Sequence, residues 1–97
     1  MAELKLKKPI KIDGEEKTVI EYDFEELTGN DCQQATKELQ KAGIAVIGAV
    51  ELDTNYHAAL FAAASGISFA DMSRLSFSDY TKATTLVRDF FLADMAE

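Results

Sequence analysis

Apolar residues alternate singly with polar ones at the start of the chain and gather into helical stripes toward its end. Leu4, Leu6, Ile10 and Ile12 share one parity and Lys5, Lys7 and Lys11 the other, the period of a strand with one buried face. Pro9 donates no ladder hydrogen bond, so this is an edge strand or one interrupted at Lys8-Pro9. Asp13-Gly14 signals a turn. After Glu15-Glu16 a second alternation sets Thr18, Ile20, Tyr22 and Phe24 against Val19, Glu21 and Asp23. The pattern predicts a hairpin over residues 1–24 with a four-residue connection, and places the first strand's lysines within reach of Glu21 and Asp23. Such a hairpin is marginal in water, so its Leu/Ile face must be covered by helices or by another chain.

The rest, residues 30–95, reads as helical. Asn30 is a suitable cap for a helix from Asp31 to Ala42, with Cys32, Ala35, Leu39 and Ala42 inward and Gly43 closing it. The run Ile44-Ala45-Val46-Ile47-Gly48-Ala49-Val50 is apolar throughout, and Gly43 and Gly48 favour a non-helical crossing. Residues 55–66 are apolar on nearly every side, with Asp53 or Thr54 as cap and Gly66 as terminator. A helix without a polar face belongs at the centre of the fold. Ile67-Ser68-Phe69-Ala70-Asp71-Met72 then returns as Leu75-Ser76-Phe77-Ser78-Asp79-Tyr80, and each copy has the layout of a helix start: a Ser cap with an acid three residues on. The first opens a short helix over about Phe69 to Arg74 and the second a longer one to about Ala93. In that last helix Tyr80, Ala83, Val87 and Phe91 form the inner stripe, and Leu86 and Phe90 widen it beyond what one neighbouring layer requires. The fold expected is α+β, an N-terminal β-hairpin on a bundle of about four helices.

Ninety-seven residues suffice for one modest core, so a single domain over 1–97 is expected. No stretch approaches the roughly 18 apolar residues that span a bilayer, and the N-terminus lacks the layout of a secretion signal. Five of the ten basic residues lie in the first seventeen positions, leaving 5 basic against 13 acidic residues from position 18 onward. An acidic body repels phosphate backbones and argues against groove binding to nucleic acid. It leaves open an acidic mimic of DNA that inhibits a host protein.

Chemistry finds little support. Cys32 and His57 are the only cysteine and histidine, and their positions on apolar helix faces read as a packed thiol and a helix-border imidazole rather than a nucleophile and its base. One histidine with scattered carboxylates has no metal-ligand spacing. Glu21, Asp23, Glu25 and Glu26 read as a solvated acidic run. Gly43 and Gly48 fit neither phosphate-loop nor dinucleotide spacing. The expectation is a protein without catalytic residues, metal or cofactor.

Leu6-Lys7-Lys8-Pro9-Ile10 with Asp13-Gly14, then Asn30-Asp31, Tyr56-His57-Ala58-Ala59-Leu60 with Ala64-Ser65-Gly66, and Leu75-Ser76-Phe77-Ser78-Asp79-Tyr80 leading to Phe90-Phe91-Leu92 follow one another along nearly the whole chain. In this order and spacing the sequence resembles the small tail assembly chaperones of long-tailed bacteriophages. One departure is the apolar run from Ile44 to Val50, where the family is more polar. The resemblance implies a non-catalytic protein of the infected or lysogenic host cytoplasm, absent from the finished virion, that keeps the tape measure protein soluble until tube subunits polymerise around it. It also implies that a frameshifted C-terminal extension recruits the tail tube protein; a chain ending at Ala96-Glu97 looks like the short product.

A wide apolar arc on the last helix and an edge strand at the N-terminus offer two ways to cover a partner, helix packing and strand addition. The partner-binding residues expected on this basis are Leu86 and Phe90 on the helix with Leu4, Leu6 and Ile10 on the strand. The occupant is either the tape measure protein or a second copy in a homo-oligomer.

Overall fold

The computed structural model describes residues 2–45, 49 and 52–95. Most of the expected crossing over 44–50 lies outside the described residues. Strands β1 (Ala2–Ile12) and β2 (Glu15–Tyr22) form an antiparallel two-stranded sheet. They are followed by a 3₁₀ turn (Phe24–Glu26) and helices α1 (Gly29–Lys41), α2 (Thr54–Ser65), α3 (Phe69–Met72) and α4 (Phe77–Met95). The architecture is α+β, a hairpin on four helices, as the hydrophobic pattern predicts.

The hairpin corrects the sequence reading in two places. Ile12 pairs with Glu15, so the connection is the two-residue Asp13-Gly14 and not a four-residue loop. Both turn residues have positive φ, 53° and 83°, the primed turn whose twist matches the flanking strands. The register also sets Glu21 opposite Glu3 rather than opposite a lysine. Beyond Lys5↔Val19 the ladder resumes only at Ile10↔Lys17. Residues 6–9 thus bulge out opposite Thr18 alone, and Pro9, which has no N–H to offer, sits in the gap.

Helix α2 is the centre. Tyr56 through Ala62 are all buried, with Asp53 accepting from the Tyr56 amide at 2.9 Å and Gly66 at φ 75° ending the helix. Helices α1, α3 and α4, strand β2 and the 3₁₀ turn all pack against it. Phe61 meets the Tyr22 ring at 5.2 Å, and the Asp23 amide donates to the Ala64 carbonyl at 3.1 Å, fixing the end of the hairpin to the end of α2. His57 is only 2% exposed and packs 5.7 Å from the Phe91 ring, so it is a core residue and not a helix-border one.

The first helix is capped by Thr28 rather than Asn30. The Thr28 hydroxyl accepts from the Asp31 amide, and the Asp31 carboxylate accepts from the Thr28 amide at 2.8 Å, a complete capping box. Ala35 and Leu39 face inward as expected, Cys32 is half-buried and Ala42 is exposed. Gly43, at φ 76°, follows the end of the helix.

Candidate functional site

The two Ser-x-x-Asp copies diverge in the structure. Ser68 and Asp71 form a complete capping box at α3, with Arg74 paired to the Asp71 carboxylate. In the second copy Ser76 accepts from the Asp79 amide at 3.2 Å, but the Asp79 carboxylate turns away to the β1 bulge. Both of its oxygens accept from the Lys7 amide at 3.0 Å, and one also accepts from the Lys8 amide at 3.2 Å. Asp79 is fully buried. Burial by itself would raise its pKa, but the Lys7 and Lys8 amides, the Ser76 hydroxyl and the Lys82 charge outweigh that and hold the carboxyl below its ordinary value. The charge on α4 therefore binds the irregular part of β1 to the helix.

A groove lies beside this clasp. Leu4 of β1 faces Phe77, Ser78, Thr81, Lys82, Thr85 and Leu86 of α4 across an open space of about 600 Å³. Leu4 is itself 5% exposed and supplies the floor, while Leu86 is half-buried at one side. Phe77 is 87% exposed, which leaves an aromatic ring in solvent beside the groove. Residues 78, 81, 82, 85 and 86 lie at the spacing of one helix face. Among the described residues Lys82 is the sole charged side chain lining it.

Of the residues expected to bind a partner, the structure brings Leu4 and Leu86 together. Leu6 is partly buried against the core, and Ile10, beyond the bulge, is 8% exposed and part of the core cluster. Phe90 points elsewhere: its ring lies 5.2 Å from Phe24, and it lines a smaller cavity of about 270 Å³ with Leu27, Cys32, Leu60 and Phe91. Sequence reasoning passed over Phe77 because it was absorbed into the repeated helix-start motif. Its counterpart Phe69 is half-buried, so the repeat carried no sign of different exposure. Phe77 lies three residues before Tyr80 and two heptads before Phe91, so helical spacing groups it with the inner stripe and gives no sign of its exposure.

Cys32, expected as a packed thiol, is half-buried on α1. Cys32 lies beside Tyr56, whose phenol is pushed up to about 12 by burial and then by its hydrogen bond with Cys32. A phenol held protonated is no base for a thiol at neutral pH. Among the described residues no group of three or more His, Cys, Asp or Glu is placed to hold a metal ion. No helix among them is long and apolar enough to cross a membrane.

The fold is a small α+β arrangement with an open, largely apolar groove between a helix and a bulged strand. Residues 3–92 match the family of phage tail assembly chaperone proteins, E, or 41 or 14, and the chain belongs to that family. No curated protein and no solved structure matches it. Its role is accordingly that of a tail assembly chaperone, with protein partners in tail assembly.

Proposed function

We propose that this chaperone binds a segment of the tape measure protein and keeps it soluble in the host cytoplasm while the tail is built, leaving before the virion is complete. The observation that carries the reading is the open apolar groove flanked by the exposed Phe77 ring, in a member of a tail assembly chaperone family. An aromatic ring left in water beside a hydrophobic floor gains roughly 1.5 to 3 kcal/mol when a partner covers it. Leu4 and Leu86 would make this contact from the groove, while Leu6 packs against the core and Phe90 stacks within the chain on Phe24. Ile10 contributes through the core by holding the strand in place. The frameshifted extension would join the same chain to the tail tube protein.

The test is co-expression with the tape measure protein of the same phage, scored by how much of that product stays soluble. Phe77→Ser with Leu86→Ser should leave the circular dichroism of a folded helical protein and abolish the rescue. A variant that still rescues would move the contact away from this groove. Loss of self-association in sedimentation, with rescue intact, would assign the face to a homo-oligomer instead.

A further inference from the structure

Lys82 lines the groove, and the strand beside it is charged in the opposite sense to the chain as a whole. The protein carries a net charge of −7, yet residues 3–8 of β1 and 77–86 of α4 hold four lysines, Lys5, Lys7, Lys8 and Lys82, against Glu3 and the buried Asp79. The Asp79 clasp draws the backbone of Lys7 and Lys8 to within hydrogen-bond distance of the first turn of α4, so the basic stretch of β1 lies beside the helix that carries Lys82. All four lysines are exposed. The ion pairs among the described residues are Lys17–Glu15, Arg74–Asp71 and Arg88–Asp89, and none uses any of these four. Lys82 acts on the Asp79 carboxylate only at longer range.

The groove's shape favours a helix. Ser78, Thr81 and Thr85 are small or β-branched residues at helical spacing, between the larger Phe77 and Leu86, so a partner helix can approach α4 closely and seat its apolar side chains against Leu4. From Ser78 to Leu86 the face is about 12 Å long, which matches two to three turns of a partner helix.

We infer that the groove takes an amphipathic helix whose apolar stripe is flanked by acidic residues, the stripe seating on Leu4, Phe77 and Leu86 and the carboxylates meeting Lys82 and the lysines of the β1 bulge. The inference rests on the tape measure reading and specifies which segment of that protein is held. It also accounts for a basic N-terminal strand in an acidic protein, because the strand steers an acidic segment to a surface that the rest of the chain would repel.

The experiment measures binding of overlapping synthetic peptides of about 25 residues, long enough to form a helix across the groove, covering the tape measure protein. Fluorescence anisotropy against the whole chaperone gives the affinities. The tightest peptides should be net negative with apolar residues at helical spacing, and should weaken as salt rises from about 0.05 to about 0.5 M. Lys82→Glu should weaken them about tenfold and Lys82→Gln less, whereas Lys37→Glu on α1, an equal change in net charge away from the groove, should have no effect. Circular dichroism confirms that each variant is folded. Peptides that bind without regard to charge, or that ignore Lys82→Glu, overturn the inference while leaving tape measure binding intact. If neither the peptides nor the full tape measure protein is held, the functional reading falls and the inference with it. A dimer of the free chaperone that Lys82→Glu dissociates also overturns it, by giving the groove to a second copy.

Discussion

Replacing Asp79 with alanine removes a carboxylate that joins the last helix to the first strand, and the cost can be worked from its contacts. Two amides, those of Lys7 and Lys8, donate to it through three contacts of 3.0 to 3.2 Å, and the side chain is fully buried. A hydrogen bond to a charged group contributes about 1.5 to 3 kcal/mol, but water reaches the part-exposed bulge and reclaims some of the loss, leaving about 2 to 4 kcal/mol. That is a large share of the roughly 5 to 15 kcal/mol typical of a small domain. Asp79→Asn should cost less, since it retains one acceptor oxygen while turning an N–H₂ toward donors. Urea denaturation followed by circular dichroism measures both. The pH dependence adds a second readout. Because the folded-state carboxyl lies below its ordinary value, its contribution is fully present above the unfolded pKa near about 3.9 and is lost as pH falls through the lowered folded value. Asp79→Asn should therefore flatten the acid limb of the stability curve, leaving the part due to groups such as Asp71, whose carboxyl is held low chiefly by the Ser68 amide. A loss under about 1 kcal/mol for Asp79→Ala, or an acid limb unchanged in Asp79→Asn, would refute the clasp as a structural determinant.

Other changes probe the core and the surface separately. Leu60→Asp, which buries an unpaired charge in α2, should leave the chain unfolded by circular dichroism, and in the wild type amides 60–64 should exchange slowest; fast exchange there would contradict the central position of the helix. Cys32→Ser should leave chaperone activity unchanged and cost about 1 kcal/mol or less from lost packing beside Tyr56, as read in a thermal melt. Converting Glu21, Asp23, Glu25 and Glu26 to Gln or Asn should preserve rescue of the tape measure protein in co-expression, whereas an acidic DNA mimic would lose its target. Gly14→Ala should destabilise the hairpin by about 1 kcal/mol in urea denaturation, because the turn holds this residue at φ 83°.

What one-dimensional pattern encodes is what came through. The apolar residues of β1, Ile20 and Tyr22 of β2, the apolar run of α2 and the inner stripe of α4 each depend on local periodicity and lie where their period puts them, whereas Thr18 is exposed and Phe24 falls in the 3₁₀ turn beyond the strand. Local capping was legible at Asp53, Ser68 and Ser76, but Thr28 outcompeted Asn30 because Asp31 lies three residues beyond Thr28, where it can return the bond. The length of the hairpin connection was misjudged for a related reason: Glu15 and Glu16 look like loop, yet their backbone pairs with Ile12 and Lys11 whatever their side chains prefer.

The sequence by itself determined the elements, their order and the identity of the central helix, because burial on every side or on one side leaves a periodic mark in the chain. Tertiary structure alone decided which surfaces remained open. Asp71 and Asp79 occupy equivalent places in a repeat, but only Asp79 faces a strand bulge whose amides lie outside the ladder and donate to it, and no local pattern distinguishes a carboxylate that caps its own helix from one that clasps a segment 72 residues away. Phe77 and Phe69 differ for the same reason: exposure is set by what the neighbouring elements cover, a property of the packed arrangement and not of either motif.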